Sequence, residues 1–186
     1  MLKRLIKISA LILSFGLIGA TAYYYFAPTP VPVISDSVIP FDYARDADSI
    51  KQIFTDDRYW LLSSQDYDVE HMLRNKAPNK REERYNGKLI IKVLYEHNQF
   101  VGFICYYLKN FFLGQVLFVD VKPEFRGKGY AQKLMKHAIA DMKKQGATMI
   151  TLVTRTSNTS AQAVYKKLGF NVSFEEDGFV YFELRP

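Results

Sequence analysis

Between Val119 and Met135 the chain reads Val-Asp-Val-Lys-Pro-Glu-Phe-Arg-Gly-Lys-Gly-Tyr-Ala-Gln-Lys-Leu-Met. A strand-like run meets Pro123, Arg126 follows, Gly127 and Gly129 bracket Lys128, and an amphipathic helical pattern begins. The first backbone N–H groups of a helix have no intrahelical partner, and the helix dipole adds positive potential there. Glycines remove the Cβ atoms that would keep a ligand off the main chain. Arg126 adds a guanidinium suited to phosphate. The stretch therefore reads as a diphosphate cradle. A tight strand-to-helix turn that merely needs glycine is the alternative.

A second set of residues lies downstream: Asn158, Ala161, Tyr165, Gly169 and Phe170. Asn158, among Ser157, Thr159 and Ser160, suits a helix N-cap. Tyr165 shares one apolar stripe with Ala161 and Leu168, so it reads as a core aromatic or as a placed phenol. Two familiar phosphate loops are excluded. Gln132 stands where a dinucleotide fingerprint needs its third glycine, and no G-x-x-x-x-G-K-[ST] occurs. No metal-ligand spacing and no Ser/His/Asp or Cys/His arrangement is present. Cys105 sits alone in an apolar run and reads as a buried structural thiol.

The elements that must position these residues follow from periodicity. "SVIPFDYARDADSIKQIF" reads as a short strand and a helix, with Asp46 or Asp48 as its cap or first-turn acid. "DDRYWLLSSQDYDVEHMLRN" reads as one or two less regular helices, and "APNKREERYNG" as a polar loop. "KLIIKVLYEH" and "QFVGFICYYL" are two strands around Asn98-Gln99, and "LGQVLFVDV" is a third, closed by Pro123. A helix from about Lys128 to Gln145 carries Ala131, Leu134, Met135, Ala138, Ile139 and Met142 on one stripe. "TMITLVT" is a buried-type strand, "TSAQAVYKKLGF" a short helix, and "NVSFEE" and "FVYFELR" a closing hairpin at Asp177-Gly178. The order β-α-α-β-β-β-α-β-α-β-β predicts an α+β or α/β domain with a mixed sheet.

With that order in place the two motifs become specific. Arg126-Gly127-Lys128-Gly129-Tyr130-Ala131 resembles the R/Q-x-x-G-x-G/A signature of the GNAT superfamily of acyl-CoA-dependent N-acetyltransferases. Val119-Asp120-Val121-x-Pro123 resembles that family's fourth strand. Asn158-x-x-Ala161-x-x-x-Tyr165-x-x-x-Gly169-Phe170 resembles its second motif. The resemblance runs from about Val38 to Leu184. It implies an α+β, three-layer acyl-CoA N-acyltransferase fold with a mixed, largely antiparallel central sheet. It also implies acetyl-CoA as acyl-donor co-substrate, its pyrophosphate held by the amides of Arg126, Gly127, Lys128, Gly129, Tyr130 and Ala131. The backbone of Val119 and Val121, with Asp120 between them, would take the pantetheine arm. Asn158 would touch the pantetheine or bound cofactor, and Tyr165 would act as general acid toward the leaving CoA thiolate. The acceptor implied is a primary amine of a small molecule or protein. A non-catalytic acyl-CoA-binding module of the same fold is the alternative function. The family also admits a homodimer through exposed strands.

No general base is visible; Asp120, Glu96, His97 and Glu124 are the candidates. Strand alternation turns Asp120 away from the side that Val119 and Val121 face. The acceptor should enter from the side of the first helices, near the basic loop Arg74 to Lys88 and the aromatics Tyr59, Trp60, Tyr67 and Tyr85.

The bulk numbers set the frame. The chain of 186 residues, 48% hydrophobic and 24% charged, holds one cored domain and an appendage. Its net charge of +6 is concentrated at Lys3, Arg4 and Lys7 and in the basic loop, which argues against a nucleic-acid partner. No charged residue lies between Ile8 and Ile34, and Ile8 to Ala27 matches the roughly 20 residues of a spanning helix. The expected division is a transmembrane or signal-anchor helix over 1–27, a proline-containing linker over 28–37 and the catalytic domain over 38–186. Ala20-x-Ala22 offers a signal-cleavage alternative, which would make the domain a secreted one. The basic N-terminus puts the domain outside by the positive-inside rule, whereas acetyl-CoA supply favours a cytoplasmic face.

Overall fold

The computed structural model of the chain describes residues 37–63, 66–78 and 88–186. The chain divides into two units, Met1–Val33 and Ile34–Pro186. The expected anchor over 1–27 lies outside the described residues, as does all of the linker but residue 37. Among the described residues no helix is long and apolar enough to cross a membrane.

The elements run β1 (Val38–Pro40), α1 (Tyr43–Asp56), α2 (Arg58–Leu61), α3 (Val69–Asn75), β2 (Ile90–Glu96), β3 (Gln99–Leu108) and β4 (Leu113–Val121). A 3-10 turn (Pro123–Phe125) then leads into α4 (Tyr130–Lys144), β5 (Met149–Arg155), α5 (Thr159–Lys167), β6 (Asn171–Glu176) and β7 (Phe179–Leu184). The seven strands form one sheet in the order β1-β2-β3-β4-β5-β7-β6, antiparallel throughout except for β4 with β5.

Helix α1 buries Ala47, Ile50, Ile53 and Phe54, spaced for one helical face. Its cap is Asp42, and Asp46 takes the first-turn place, one of the two roles the sequence left open for it. Asp42 Oδ1 accepts the Arg45 N–H at 3.0 Å, and Asp46 Oδ2 accepts the Asp42 N–H at 2.8 Å. The two acids close a reciprocal capping box, which leaves Asp46 as the first-turn acid. Asp46 is fully buried and also accepts from the Tyr95 hydroxyl at 2.8 Å and pairs with Arg45 at 2.7 Å. The β2–β3 turn is His97-Asn98, one residue earlier than expected, with φ of 47° and 63°. A two-residue turn of this hand needs both central residues left-handed. Asn tolerates that better than Gln, so Gln99 opens β3. Helix α4 likewise starts at Tyr130, because Gly129 at φ 85° is outside helical geometry.

The sheet carries a core on each face. Under α1 and α3 lie Phe54, Met72, Leu73, Phe103, Cys105 and Phe118. Under α4 and α5 lie Val121, Leu134, Met135, Met142, Tyr165 and Phe182. Burial pushes the Cys105 thiol pKa far up, which keeps it inert.

One irregularity shapes the middle of the sheet. β4 pairs with β5 only over Leu113–Gln115 against Met149–Thr151. Leu117 is then an extra residue in β4, because Cys105 faces Phe118 and Tyr106 faces Val116. The bulge bends β4, and beyond it β4 and β5 share no ladder. β5 stays paired with β7 as far as Arg155. The sheet is therefore split between the C-terminal halves of two neighbouring parallel strands.

On the far side of β4, β3 presses close. A Cβ built on Gly102 would lie 2.3 Å from the Asp120 carbonyl oxygen, a backbone atom that cannot swing away. Gly102→Ala should therefore destabilise the domain by about 2–4 kcal/mol. A drop in the denaturant midpoint at unchanged slope checks it; a parental midpoint would refute the close approach.

Candidate active site

The turn after β4 is built to leave donors unused. Pro123 sets the 3-10 turn, within which Phe125 N–H donates to Lys122 and Arg126 N–H to Pro123. Gly127 and Gly129 then take φ of 78° and 85°, and a Cβ at either would meet no atom within 4 Å. The N–H groups of Gly127, Lys128, Gly129, Ala131 and Gln132 donate to no acceptor among the described residues. No acidic side chain occupies the first turn of α4. Five unused donors in one turn, an uncompensated dipole and an open approach make a fit for a diphosphate.

The Arg126 guanidinium points elsewhere. Its Nε donates to the Val121 carbonyl at 2.8 Å, and Nη2 reaches Asp57 Oδ2 at 2.5 Å and Asp120 Oδ1 at 3.2 Å. The cradle is thus main-chain in character, and Arg126 pins the turn to the end of β4.

Strand alternation orients β4 toward the split. Lys122 N–H donates to Val101 of β3 at 2.9 Å, so Asp120 also turns its peptide groups to β3. Val119 and Val121 turn theirs the other way, those of Val119 into the gap that β5 has left and those of Val121 onto Asp120 Oδ1 and Arg126 Nε. Their side chains pack in the core under α4, and Asp120 projects to the α1 face, as alternation predicts. Asp120 Oδ1 also accepts the Val121 N–H at 2.7 Å.

The Asp120 and Asp57 side chains are only 13% and 10% exposed, and they share one guanidinium. Burial, reinforced by the Asp57 charge, pushes the Asp120 carboxyl up to about 6 against the pull of the Val121 N–H and Arg126. A folded value above the ordinary 3.8 means that Asp120's contribution to stability is complete below that pH and is lost as pH rises through about 6. Ionising it in the folded state costs roughly 3 kcal/mol.

On the opposite face, Asn158 caps α5 by accepting the Ala161 N–H at 3.2 Å. Tyr165 stands two turns on, packed against Phe170 and Phe182 at ring separations of 6.2 and 5.6 Å. Its hydroxyl makes no hydrogen bond among the described residues. Among the described residues no sealed side-chain polar atom lacks a partner, so this oxygen keeps some access to solvent. Burial and the nearby Asp120 charge push the phenol up, which keeps it protonated at neutral pH.

A family model for the acetyltransferase (GNAT) family matches residues 47–170. The chain belongs to the GNAT family. Acetyltransferases of this family use acetyl-CoA as acyl donor. Its relatives include the [ribosomal protein bS18]-alanine N-acetyltransferase of Escherichia coli (strain K12), 36% identical over 53 residues, which are 28% of this chain and 36% of that one. The enzyme of the same name from Haemophilus influenzae is 36% identical over 96 residues, 50% of this chain and 60% of that one. In these matches the chain spans between about a third and three fifths of the relatives' length. Among solved structures, PaiA N-acetyltransferase from Thermoplasma acidophilum, in complex with coenzyme A, aligns with TM-score 0.63 at 19% identity, covering 82% of this chain and all of that one. YncA from Salmonella typhimurium, with its cofactor acetyl-CoA, aligns with TM-score 0.62 at 17% identity, covering 80% and 92%. These likenesses establish the GNAT fold.

Within this GNAT domain the segment from Asp57 to Leu62 is tied to both banks of the split. Asp57 binds Arg126 at the end of β4. From the end of β5, Arg155 Nε donates to the Tyr59 carbonyl at 2.7 Å and Nη2 to the Leu62 carbonyl at 3.0 Å. The same guanidinium lies over the Tyr59 ring, 4.2 Å from its centre. Tyr59 and Trp60 form an edge-to-face pair, 57% and 43% exposed. Asp57 and Arg155 had no signal in the sequence, since neither lies in a motif and each partner is far along the chain.

The other expected residues separate. Tyr67 packs on Phe54 and Phe118 as a core aromatic. Tyr85 and residues 79–87 of the basic loop lie outside the described residues. Glu96 and His97 sit at the β2–β3 turn, with β3 between them and β4, and Glu124 is exposed. Among the described residues no group of His, Cys, Asp and Glu could hold a metal ion.

Proposed function

We propose that this chain is an N-acetyltransferase that moves an acetyl group from acetyl-CoA to a primary amine by direct attack in a ternary complex. The observation that carries this reading is the split between β4 and β5, with a main-chain anion cradle at one end and Tyr165 packed on the α4–α5 face of the same sheet. The amides of Gly127, Lys128, Gly129 and Ala131 hold the pyrophosphate, while the Arg126 amide, expected to join them, is taken by the Pro123 carbonyl. The backbone of Val119 takes the pantetheine as a strand would, and its amide polarises the thioester carbonyl, while the N–H and carbonyl of Val121, expected to share that role, are held by Asp120 and Arg126. Asn158, beside its capping role, borders the pantetheine. Tyr165 gives its proton to the departing thiolate.

The bS18-alanine N-acetyltransferases act on a protein alanine, so peptides with a free N-terminal alanine lead the acceptor screen. Acetyl-CoA calorimetry on the full chain, followed by mass spectrometry of a peptide and small-amine panel, tests the reading. Transfer to an amine supports it. Binding without transfer to any amine favours an acyl-CoA-binding module, and absence of binding by folded protein overturns both.

The apolar run Ile8 to Ala27 is a single-pass anchor in this reading, 28–37 its spacer and 38–186 the catalytic domain, facing the cytoplasm where acetyl-CoA is supplied. Membrane fractionation with protease access on intact cells tests it; digestion of the domain from outside would reverse the orientation.

A further inference from the structure

The acceptor amine arrives as an ammonium and must lose a proton before its lone pair can attack. We infer that Asp120 takes that proton, held in position by Arg126 and Asp57. The inference rests on the acetyltransferase reading of the same cleft.

Four observations carry it. First, Asp120 follows Val119, whose peptide groups face the split, and its carboxylate holds the N–H of Val121 on its other side. Second, it projects to the α1–α3 face, whereas Tyr165 packs on the α4–α5 face. A proton acceptor and a proton donor on opposite sides of the gap suit an attack from one side and a departure to the other. Third, its two oxygens are unequal. Oδ1 accepts from the Val121 N–H and Arg126 Nη2, which fixes the carboxylate in place. Oδ2 makes no hydrogen bond among the described residues and, not being sealed, is open. Fourth, the charges do not cancel. Asp57 and Asp120 bring two negative charges to a single guanidinium, 2.5 and 3.2 Å from the same nitrogen. The surplus negative charge attracts a cation and favours a bound proton.

The groups that face Asp120 are Asp57 at the end of α1, Arg126 in the turn and Tyr165 on α5. Burial and Asp57 set its carboxyl at about 6, so it is ionised at neutral pH yet basic enough to be reprotonated. In the reaction, the ammonium gives one proton to Asp120 Oδ2, which passes it to solvent. The C–N bond forms and the C–S bond breaks. Sulfur takes the Tyr165 proton, and the second proton shed by the nitrogen restores the phenol. The balance is one amide, one thiol and one proton released.

The test compares the full chain with Asp120→Asn and Asp57→Asn. Asn keeps an oxygen for the Val121 N–H, so acetyl-CoA affinity by calorimetry should stay within about threefold of the parent. Turnover of an alanine-N-terminal peptide, or of the best amine from the panel, should fall in Asp120→Asn by about 10²- to 10⁴-fold at pH 7. That deficit should shrink as pH rises toward the amine's own value, about 8 for a peptide N-terminus, because the base is then unneeded. Carboxyl-carbon NMR should show Asp120 titrating near 6 in the parent and lower in Asp57→Asn, which removes the repelling charge. A deficit that is absent, or constant across pH, overturns the inference, as does titration of Asp120 in the ordinary carboxylate range. A parent that acetylates no amine defeats the acetyltransferase reading and this inference with it. A parent that turns over while Asp120→Asn keeps pace defeats the inference alone.

Discussion

Gly129→Glu removes acetyl-CoA binding by at least 100-fold while the domain stays folded. Gly129 is the N-cap of α4 at φ 85°, and a Cβ there projects into open space. The fold therefore has room for the side chain, and the cost to stability is the left-handed backbone alone, about 1–2 kcal/mol. The cost to binding is much larger. A carboxylate placed among five unused N–H groups takes the donors meant for a diphosphate and repels its charge. A hundredfold loss is about 3 kcal/mol, which two or three charge-assisted hydrogen bonds readily supply. Gly178 provides the matched control. It sits in the β6–β7 turn at φ 80°, and its Cβ would also meet nothing. Gly178→Glu should lose similar stability and bind acetyl-CoA as the parent does. Calorimetry on the three proteins checks this, with thermal melts to confirm folding. Equal affinity in Gly129→Glu would show that the turn needs glycine for its conformation only.

Tyr165→Phe lowers kcat by about 10²- to 10³-fold and leaves acetyl-CoA affinity within a factor of about three. The ring fills a core site between Phe170 and Phe182, and Phe keeps that packing. The hydroxyl has no partner to lose among the described residues, so stability should move by under about 0.5 kcal/mol. Only the proton is gone. A phenol held above its ordinary value is a weak donor in water. A thiolate leaving inside the same dry gap is raised as well, so the transfer is closer to balanced than the free groups suggest. Steady-state kinetics with an identified acceptor, beside calorimetry, separates the outcomes. Unchanged kcat would return Tyr165 to the role of a core aromatic.

Both arguments use features that lie within a few residues of each other, and these were legible in the sequence. Each strand of the core appeared as an apolar run, α4 as a six-residue stripe, the closing hairpin as Asp-Gly and the cradle as two glycines after a proline. Local chemistry also misled where two near-equivalent residues competed. Asp42 took the cap from Asp46 because Asp46 reaches back to the Asp42 N–H while Tyr95, 49 residues away, claims its other oxygen. The β2–β3 turn chose His97-Asn98 because pairing of β3 with its neighbours sets the register that a dipeptide alone leaves open.

By itself the sequence determined the elements, their order and the uncapped start of α4, since periodicity, proline and glycine act over one or two turns of chain. Only the tertiary structure decided the pairing of Asp57 with Arg126, 69 residues apart, and the reach of Arg155 to Tyr59 across 96. It also decided that Asp120 shares the first of these. The split between β4 and β5 belongs with them, because a strand's partner, and the residue at which pairing stops, depend on which segment lies beside it. Charge pairs and sheet neighbours are properties of position in space. Nothing in a carboxylate at position 57 announces a guanidinium at position 126 until the sheet has brought the end of α1 over the end of β4.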